Sequence, residues 1–396
     1  MNNKTSIFSN GLLWFGAAVS IAEILTGTLY APLGLTKGIA ALIIGHIIGC
    51  VLLYMAGVIG GSTQKTAMET AAISFGNKGN IFFASLNVLQ LLGWTAVMII
   101  SSAKAIDIIT QSYMGVSRNA LWCVLIAFFI FIWILSGLKK LEKINVFAIG
   151  ALFILTIILS FVVFKGGSIA SNVSGEGMSF GLAVELAVAM PLSWIPLISD
   201  YTKTAAKPKK ATLISVTAYF IGSCWMYIIG LGSALYSGQA DISVIMISVG
   251  LGTVGIIIVL LSTVTTTYLD VYSAGISFLS ISKKFSDKII STAVLIIGML
   301  IAIFTPIEQY QNFLYFIGSV FAPMIAIMIA DYFILKKDYS AKAFNITNII
   351  LWIIGFVIYR LFMSVNTVIG STVPVIIAII ILCIIVEGGK RICLKK

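Results

Sequence analysis

The stretch Trp14–Gly27, with the sequence WFGAAVSIAEILTG, lies inside the first long apolar run of the chain. That run is long enough for a membrane-spanning helix, which needs about 20 apolar residues. Glu23 lies near its middle, and a carboxylate at bilayer depth costs at least about 2.5 kcal/mol, so it should face protein, a polar cavity or a bound partner. Gly16, Ser20 and Gly27 loosen the helix, which predicts a broken helix lining a solute site. The alternative is a helix–helix contact of small residues, with Glu23 paired to a neighbour.

The composition is typical of a polytopic helical membrane protein. The 396 residues are 60% hydrophobic and 10% charged, whereas soluble domains have about 45–50% and 25%. The five cysteines show neither paired nor metal-ligand spacing, so we interpret them as packing residues. The first apolar run is too long for a signal peptide and is expected to remain as a span.

Segmentation by apolar runs predicts twelve spans and no soluble domain. Spans 1 to 12 are expected at about residues 11–33, 36–60, 80–108, 119–137, 143–164, 179–200, 211–235, 243–277, 289–305, 310–335, 345–363 and 372–387. The loops on one side then hold most of the Lys and Arg, and those on the other side hold Lys37, Arg118 and Lys165. By the positive-inside rule both termini are cytoplasmic. We expect a multi-pass protein of the cell (plasma or inner) membrane, with the lipid bilayer and not nucleic acid as partner.

Polar groups at bilayer depth provide the candidate site residues. On span 3, Gln90, Trp94 and Met98 follow at i, i+4 and i+8, so an amide, an indole and a thioether share one stripe. Such a stripe can stack on a flat heterocycle and hydrogen-bond to it; ordinary packing is the alternative. His46 is the single histidine, and we interpret it as packed or hydrogen-bonded rather than as a metal ligand or proton relay.

Span 6 is expected to be interrupted like span 1. Pro191 and Pro196 free backbone carbonyls and prevent a continuous helix, which is tolerated where the break lines a cavity. Two broken spans five helices apart are typical of a transporter built from two inverted five-helix repeats; a simple proline kink is the alternative. The expected organisation is one transmembrane domain, 1–396, with repeats at 11–164 and 179–335 and two extra helices at 345–387.

Span 8 contains the densest polar cluster, STVTTTYLDVYS at Ser262–Ser273. The hydroxyls of Ser262, Thr265 and Thr266 share a face at helical spacing. With two carbonyls from the loosened part of span 1 they would form an oxygen cage suited to Na⁺. The alternative is that each hydroxyl bonds back to the carbonyl one turn earlier. Asp270 is either a second buried acid or lies near the cytoplasmic end.

Four short motifs, taken in order and spacing, resemble the nucleobase–cation symporter-1 family, and within it the small bacterial cytosine and hydroxymethylpyrimidine permeases. They are WFG at Trp14–Gly16, SFGNKG at Ser74–Gly79, GW at Gly93–Trp94 and MIADYF at Met328–Phe333. The resemblance implies an all-α fold of twelve transmembrane helices, a LeuT-like 5+5 inverted repeat plus two C-terminal helices.

The resemblance also implies an ion site and a substrate site. The sodium-binding positions fall on the carbonyls of Gly16 and Val19 and on Ser262, Thr265 and Thr266. The substrate-binding positions fall on Ser20, Trp94 and Thr267.

Three positions depart from the family pattern. Where the family has an amide one turn after the span 3 tryptophan, this chain has Met98, and Gln90 is the candidate to replace that amide. The span 6 aromatic of the family aligns with Pro191, so Trp194 is expected to supply the second ring face. Glu23 has no general counterpart in the motif.

Glu23 narrows the expected substrate. A carboxylate accepts hydrogen bonds from an exocyclic amine and a ring N–H, which favours an aminopyrimidine, either hydroxymethylpyrimidine (a thiamine precursor) or cytosine, over uracil or allantoin. The expected function is secondary active import by a monomer, coupled to Na⁺, without a cofactor.

Several alternatives to this function remain open. One is proton coupling through Glu23 or Asp270, with a purine or another nucleobase as substrate. Another is an amino-acid or amine transporter, because the fold alone does not fix the substrate. The sequence contains no Walker-type phosphate loop, nucleophile–base pair or repeated filter loop, which disfavours an ATP-driven pump, an enzyme and a channel.

Overall fold

The computed structural model describes residues 4–115, 117–165, 178–237, 244, 247, 252–305, 310–365 and 367–393. Within these ranges the regular structure is helical, and the only β pairing is an isolated bridge between Thr5 and Ala205. In the described part of the chain, eight helices and one bent helix pair are long and apolar enough to cross a membrane, and three shorter apolar helices accompany them. The predicted all-α, polytopic fold class is confirmed.

The helices agree with the twelve predicted spans. The bounds of spans 1 to 12 are Ile7–Ala18 with Ile21–Thr28, Gly34–Thr63, Gly79–Met114, Asn119–Ser136, Leu138–Lys165, Phe180–Ser193 with Ile195–Thr202, Pro208–Ser237, Gly252–Leu279, Asp287–Phe304, Tyr310–Ile329 continued by a π-helix at Ala330–Leu335, Ile346–Phe362 and Thr372–Cys393. Most of the predicted start of span 8, at 243–251, lies outside the described residues.

Span 1 is broken where the sequence predicts it. Val19 leaves helical geometry (φ −82°, ψ 81°), and Ser20 is extended (φ −135°, ψ 156°). The Ser20 side chain caps the second half by accepting a hydrogen bond from the Glu23 N–H at 3.3 Å, as serine does at helix N-termini. The two halves meet at a 48° bend. The unwound carbonyl of Val19 is therefore available to a partner outside span 1.

Gly27 has a different role from the one predicted. It lies inside the second half of span 1 and faces span 7, where a Cβ would be only 2.3 Å from the carbonyl oxygen of Tyr227. Gly230 faces back, and a Cβ there would be 2.0 Å from the carbonyl oxygen of Ile24. Glycine at both positions lets the two backbones touch, as small residues do between membrane helices. The break itself depends on Ser20.

Span 6 is broken at Trp194, between Ser193 and Ile195. Pro196 has no N–H to continue the helical ladder. Span 3 supplies side-chain donors to the backbone at the break: the Gln90 amide donates to the Ser193 oxygen at 2.7 Å, and the Asn87 amide donates to the Pro196 oxygen, in the first turn of the second half, at 3.2 Å. A break at this depth is stable because neighbouring helices satisfy its backbone.

The packing of the spans has the symmetry expected of a repeat. Span 1 packs along span 7, and span 6 packs along span 2; span 3 contacts span 9, and span 4 contacts span 8. If span 1 is exchanged with span 6, span 2 with span 7, and so on, the contact between spans 1 and 7 becomes the contact between spans 6 and 2. The contact between spans 3 and 9 likewise becomes the contact between spans 8 and 4. The two broken spans are therefore equivalent elements, and both lie beside spans that belong to the other half.

One helix is absent from the sequence prediction. The segment between spans 2 and 3, expected as a loop at about 61–79, contains the helix Ala67–Phe75. Thr66 and Glu69 form a capping box at its start, so the T-x-x-E signature was present in the sequence. The Ala67 N–H also donates to the Asp200 carboxylate at 2.9 Å, which fastens this helix to the end of span 6.

Candidate functional site

A small cavity lies where the broken spans 1 and 6 meet spans 3 and 8. Its wall combines aromatic rings, two carboxylates and hydroxyls in an otherwise apolar interior, the usual character of a small-molecule site. The lining residues are Ala17, Ser20, Ala22, Glu23, Leu91, Trp94, Met98, Met190, Ser193, Trp194, Thr266 and Asp270. Five of the predicted substrate-binding residues are thus brought together: Ser20, Glu23, Trp94, Met98 and Trp194.

Trp94 and Trp194 supply the aromatic surface of the cavity. Trp94 is held edge-on by Tyr310 and Phe313, with ring centroids 6.0 and 5.6 Å apart. Trp194, at the break of span 6, packs edge-on against Trp14 at 5.4 Å. The indole N–H of Trp94 is buried and has no hydrogen-bond partner among the residues that the structure describes. A ligand with an acceptor could take this bond, since a buried donor without a partner is unfavourable.

Glu23 is 2% exposed and is held by two hydroxyls of span 7. Tyr219 donates to Oε1 at 2.8 Å, and Ser223 lies 2.7 Å from Oε2. Neither hydroxyl was among the predicted site residues, although the i, i+4 spacing of Tyr219 and Ser223 makes a polar stripe on an apolar span. An ionised carboxylate has about four acceptor positions, so two remain for a ligand.

The structure joins the break of span 1 to the hydroxyl cluster of span 8. Ser262 donates to the freed carbonyl of Val19 at 2.7 Å. Thr266 is buried, and its hydroxyl has no partner in the described part of the chain. Thr265 donates to carbonyls of its own helix, those of Leu261 and Ser262, at 2.9 Å each. These oxygens are the hard, neutral donors that suit an alkali cation, so the residues present fit one.

Gly16 is the fifth residue predicted at the ion site. It lies within the first half of span 1, before the break, and its helical face packs on Ile149 of span 5. The roles assigned to Gly16 and to the other four residues stay predictions.

Three residues predicted to bind substrate lie outside the cavity wall. The amide nitrogen of Gln90 is bonded to Ser193 and also to Asn87, at 3.1 Å. Pro191 packs against Gly49 of span 2, where a Cβ would lie 2.4 Å from its ring. Thr267 is fully buried, one position round the helix from Thr266. Their direct roles stay predictions, and the structure gives Gln90 and Pro191 packing roles around the break.

The SFGNKG and MIADYF motifs form a separate cluster with the start of span 11. Asn345 and Asn348 donate to the Ser74 carbonyl at 3.0 and 2.9 Å, and Asn348 donates to Asp331 at 2.7 Å. Gly76 is at φ +88°, a conformation that favours glycine, and lets the chain pass the backbone of Ala343. Ser74, Asp331, Asn345 and Asn348, which we call the clasp, join the segment after span 2 to the end of span 10 and the start of span 11.

Two broken spans around a polar cavity, in a bundle of apolar helices, define a multi-pass membrane transporter. A family model, described as permease for cytosine/purines, uracil, thiamine, allantoin, matches residues 2–386. The chain belongs to that family, as the sequence motifs predicted. It is a transporter and not an enzyme.

Individual relatives agree with this assignment. The chain is 27% identical over 350 residues to the cytosine permease of Escherichia coli K12, covering 87% of this chain and 80% of the relative. It is 23% identical over 357 residues to the putative purine-cytosine permease YxlA of Bacillus subtilis 168, covering 84% and 77%. Among solved structures, the chain is similar to Mhp1, a nucleobase-cation-symport-1 family transporter in a closed conformation with bromovinylhydantoin bound. The TM-score is 0.82 at 21% identity, and the match covers 96% of this chain and 92% of Mhp1.

Proposed function

We propose that this protein is a secondary active importer of an aminopyrimidine, either cytosine or hydroxymethylpyrimidine, coupled to Na⁺. The observation that carries the proposal is Glu23, a buried carboxylate with acceptor capacity left over, in the same cavity as Trp94 and Trp194. Membership of a family of nucleobase permeases and the likeness to cytosine permeases support the substrate class.

The cavity chemistry distinguishes amino from oxo substituents. The remaining acceptor positions of Glu23 suit the exocyclic amine and a ring N–H, whereas an oxo group there would bring a carbonyl oxygen against a carboxylate. Ser20 accepts the bond from the Glu23 N–H, which leaves its own O–H as a donor toward a ring nitrogen or carbonyl. The flat ring would stack on Trp94 and Trp194.

The cation would bind beside the substrate and tie span 1 to span 8. The freed carbonyl of Val19, Ser262 and the buried Thr266 hydroxyl support this position. A cation there fixes the break of span 1, to which Ser20 and Glu23 belong, so each solute favours the bound state of the other. Coupling free energies of this kind are about 1–3 kcal/mol.

The proposed transport cycle uses the repeats predicted from the sequence. Residues 11–164 and 179–335 form the two halves, and rocking of the broken spans against the rest exposes the cavity to each side in turn. The helices at 345–387 lie outside this symmetry. The protein works as a monomer in the cell membrane with both termini in the cytoplasm.

The test is uptake into proteoliposomes containing the purified protein. Radiolabelled cytosine and hydroxymethylpyrimidine are supplied with an inward Na⁺ gradient, with choline replacing Na⁺, and with a proton gradient alone. We expect saturable accumulation that requires Na⁺ and is competed by aminopyrimidines but not by uracil. Accumulation driven by the proton gradient alone would transfer the coupling role to Glu23 or Asp270. Competition by purines, amino acids or amines instead of aminopyrimidines would refute the proposed substrate.

A further inference from the structure

The single histidine is connected to the carboxylate of the cavity. His46 of span 2 is fully buried, and its Nε2 lies 2.6 Å from the hydroxyl oxygen of Ser223. The same hydroxyl oxygen lies 2.7 Å from Oε2 of Glu23. The other ring nitrogen of His46, Nδ1, lies 2.8 Å from the carbonyl oxygen of Leu42. Glu23, Ser223 and His46 therefore form a continuous chain from the cavity wall into the contact between spans 2 and 7.

Counting hydrogens constrains the protonation of this chain. The Leu42 carbonyl can only accept, so Nδ1 of His46 must carry a hydrogen. Two hydrogen bonds then remain, from Glu23 to Ser223 and from Ser223 to His46, and each needs one hydrogen. The Ser223 hydroxyl supplies one. The second must come either from a protonated Glu23 carboxyl or from a second hydrogen on the His46 ring.

Tyr219 does not change this count. Its hydroxyl hydrogen is used on the other carboxylate oxygen, Oε1, at 2.8 Å. In one arrangement Glu23 is ionised and His46 is an imidazolium; in the other both are neutral. The sum of their charges is zero in both, which suits a site at bilayer depth, where an isolated charge is unfavourable.

We infer that Glu23, Ser223 and His46 form a proton-binding site beside the substrate cavity, which holds one proton shared between the carboxyl and the imidazole. His46 is thereby a positioning residue for Glu23. It acts through Ser223 and keeps the carboxyl group of Glu23 turned toward span 7. The net charge of Glu23 and His46 together stays zero.

In the part of the chain that the structure describes, the titratable groups that face this hydrogen-bonded chain from the neighbouring spans are tyrosines, cysteines and the carboxyl group of Asp270. Span 7 contributes Tyr219, Tyr227 and Cys224, span 2 contributes Cys50, the end of span 1 contributes Tyr30, and span 10 contributes Tyr310. The rings of Phe220 and Tyr227 pack edge-on against the imidazole. From span 3 the cavity receives Leu91, Trp94 and Met98, and from span 8 it receives Thr266 and Asp270. Asp270 is the other carboxyl group of the cavity, so it must be separated from Glu23 in any test.

The test counts the shared proton at neutral pH. Because the chain has one histidine, ¹⁵N-histidine labelling of protein purified with a histidine-free tag reports on His46 alone, and the ¹⁵N spectrum shows whether its ring is an imidazolium. Infrared spectroscopy shows whether a buried carboxyl is protonated. We expect one proton in total: an imidazolium, or a protonated-carboxyl band that Glu23→Gln removes and Asp270→Asn leaves in place. A neutral His46 together with an ionised Glu23, or a proton on both, would overturn the proposal.

A second measurement links the site to transport and rests on the proposed function. Uptake of radiolabelled cytosine at a fixed Na⁺ gradient should fall at alkaline pH, because loss of the shared proton leaves a net charge and one broken hydrogen bond. In His46→Gln the proton can reside only on Glu23, and the side-chain amide can donate to Ser223 without that proton, so the midpoint of the alkaline fall should shift to lower pH. An alkaline fall that is identical in both proteins would contradict the link. Absence of uptake of both cytosine and hydroxymethylpyrimidine at every pH would refute the proposed function and leave the spectroscopic result standing.

Discussion

Glu23 and Glu185 are buried carboxylates on the two broken spans, but their surroundings differ. Glu185 is 0% exposed and accepts four hydrogen bonds: from the hydroxyls of Tyr359 and Thr372, at 2.5 Å each, and from the N–H groups of Ser371 and Thr372, at 2.6 and 2.8 Å. Four bonds use the acceptor capacity of a carboxylate. Glu23 accepts from two hydroxyls and lines the cavity. Burial alone therefore does not distinguish the two acids, whereas unused acceptor capacity beside a cavity makes Glu23 the candidate to bind substrate.

The clasp gives a second comparison with the cavity. Its amides and carboxylate are hydrogen-bonded to one another and to the Ser74 carbonyl, although the Ser74 hydroxyl has no partner within the described ranges. At the cavity, the Trp94 N–H and the Thr266 hydroxyl have no partner within the same ranges. A buried group without a partner is therefore a candidate to bind a solute only where it also lies beside a cavity.

The largest effect is expected from Glu185→Gln. The side-chain amide of glutamine would point two N–H donors at the four donor groups that bond to Glu185, so some of these groups would lose their acceptor. Unsatisfied buried polar groups cost about 1–3 kcal/mol each. We expect a loss of at least about 3 kcal/mol of stability, seen as a large fall in the thermal unfolding midpoint in detergent. The control is Glu69→Gln, at an exposed capping box that glutamine can also complete. If the two variants unfold at similar temperatures, Glu185 does not fasten spans 11 and 12 to span 6.

Glu23→Gln should leave stability almost unchanged and weaken transport, whereas Glu185→Gln is expected to lower stability. The variant keeps the shape and hydrogen-bonding ability of the side chain, so the unfolding midpoint should stay close to that of the parent protein. Loss of a charged acceptor for the substrate amine should raise KM for cytosine about 10- to 100-fold, since hydrogen bonds to charged groups contribute about 1.5–3 kcal/mol. Competition uptake with amino- and oxopyrimidines measures the preference. An unchanged preference would show that Glu23 does not select the amine.

The sequence predicted the breaks of the two spans better than the partners of the residues at them. Ser20 within an apolar run and the prolines of span 6 are local signals, and local chemistry decides where a helix can continue. The family motifs likewise predicted the fold. These signals do not depend on how neighbouring helices are rotated.

The partners could not be predicted in the same way. Tyr219 and Ser223 lie 196 and 200 residues from Glu23, and their contact depends on the rotation of span 7 against span 1. The close approach at Gly27 and Gly230 sets that rotation, and no pattern within one helix encodes it. Gln90 shows the converse case. Its spacing to Trp94 suggested a shared substrate face, but its amide nitrogen donates a hydrogen bond to the Ser193 carbonyl at the break of span 6.

Trp94→Ala should weaken substrate binding less than the loss of Glu23. Stacking of a base on an aromatic side chain contributes about 1–3 kcal/mol. Because Trp194 keeps a second stacking surface in the cavity, we expect the lower part of this range, a rise in KM for cytosine of about 5- to 50-fold, measured by initial uptake rates. Trp94→Phe is the matched comparison, because it keeps an aromatic ring between Tyr310 and Phe313 while it removes the indole N–H and part of the stacking area. A phenylalanine variant that transports like the parent protein would contradict a role for the N–H, whereas one as impaired as the alanine variant would show that a single ring cannot supply the interaction.

The smallest effect concerns the cation, and it depends on two neighbouring threonines. The Thr266 hydroxyl has no partner in the part of the chain that the structure describes, whereas the Thr263 hydroxyl is hydrogen-bonded to Ser102 of span 3. Thr→Val removes the hydroxyl and keeps the shape. At Thr266 it should raise the Na⁺ concentration for half-maximal uptake about 3- to 10-fold, equivalent to about 1 kcal/mol. At Thr263 the Na⁺ dependence should be unchanged, because that oxygen faces another helix. If the two variants respond equally to Na⁺, the cation does not bind at this face of span 8, and the unpartnered hydroxyl of Thr266 would have to serve the substrate instead.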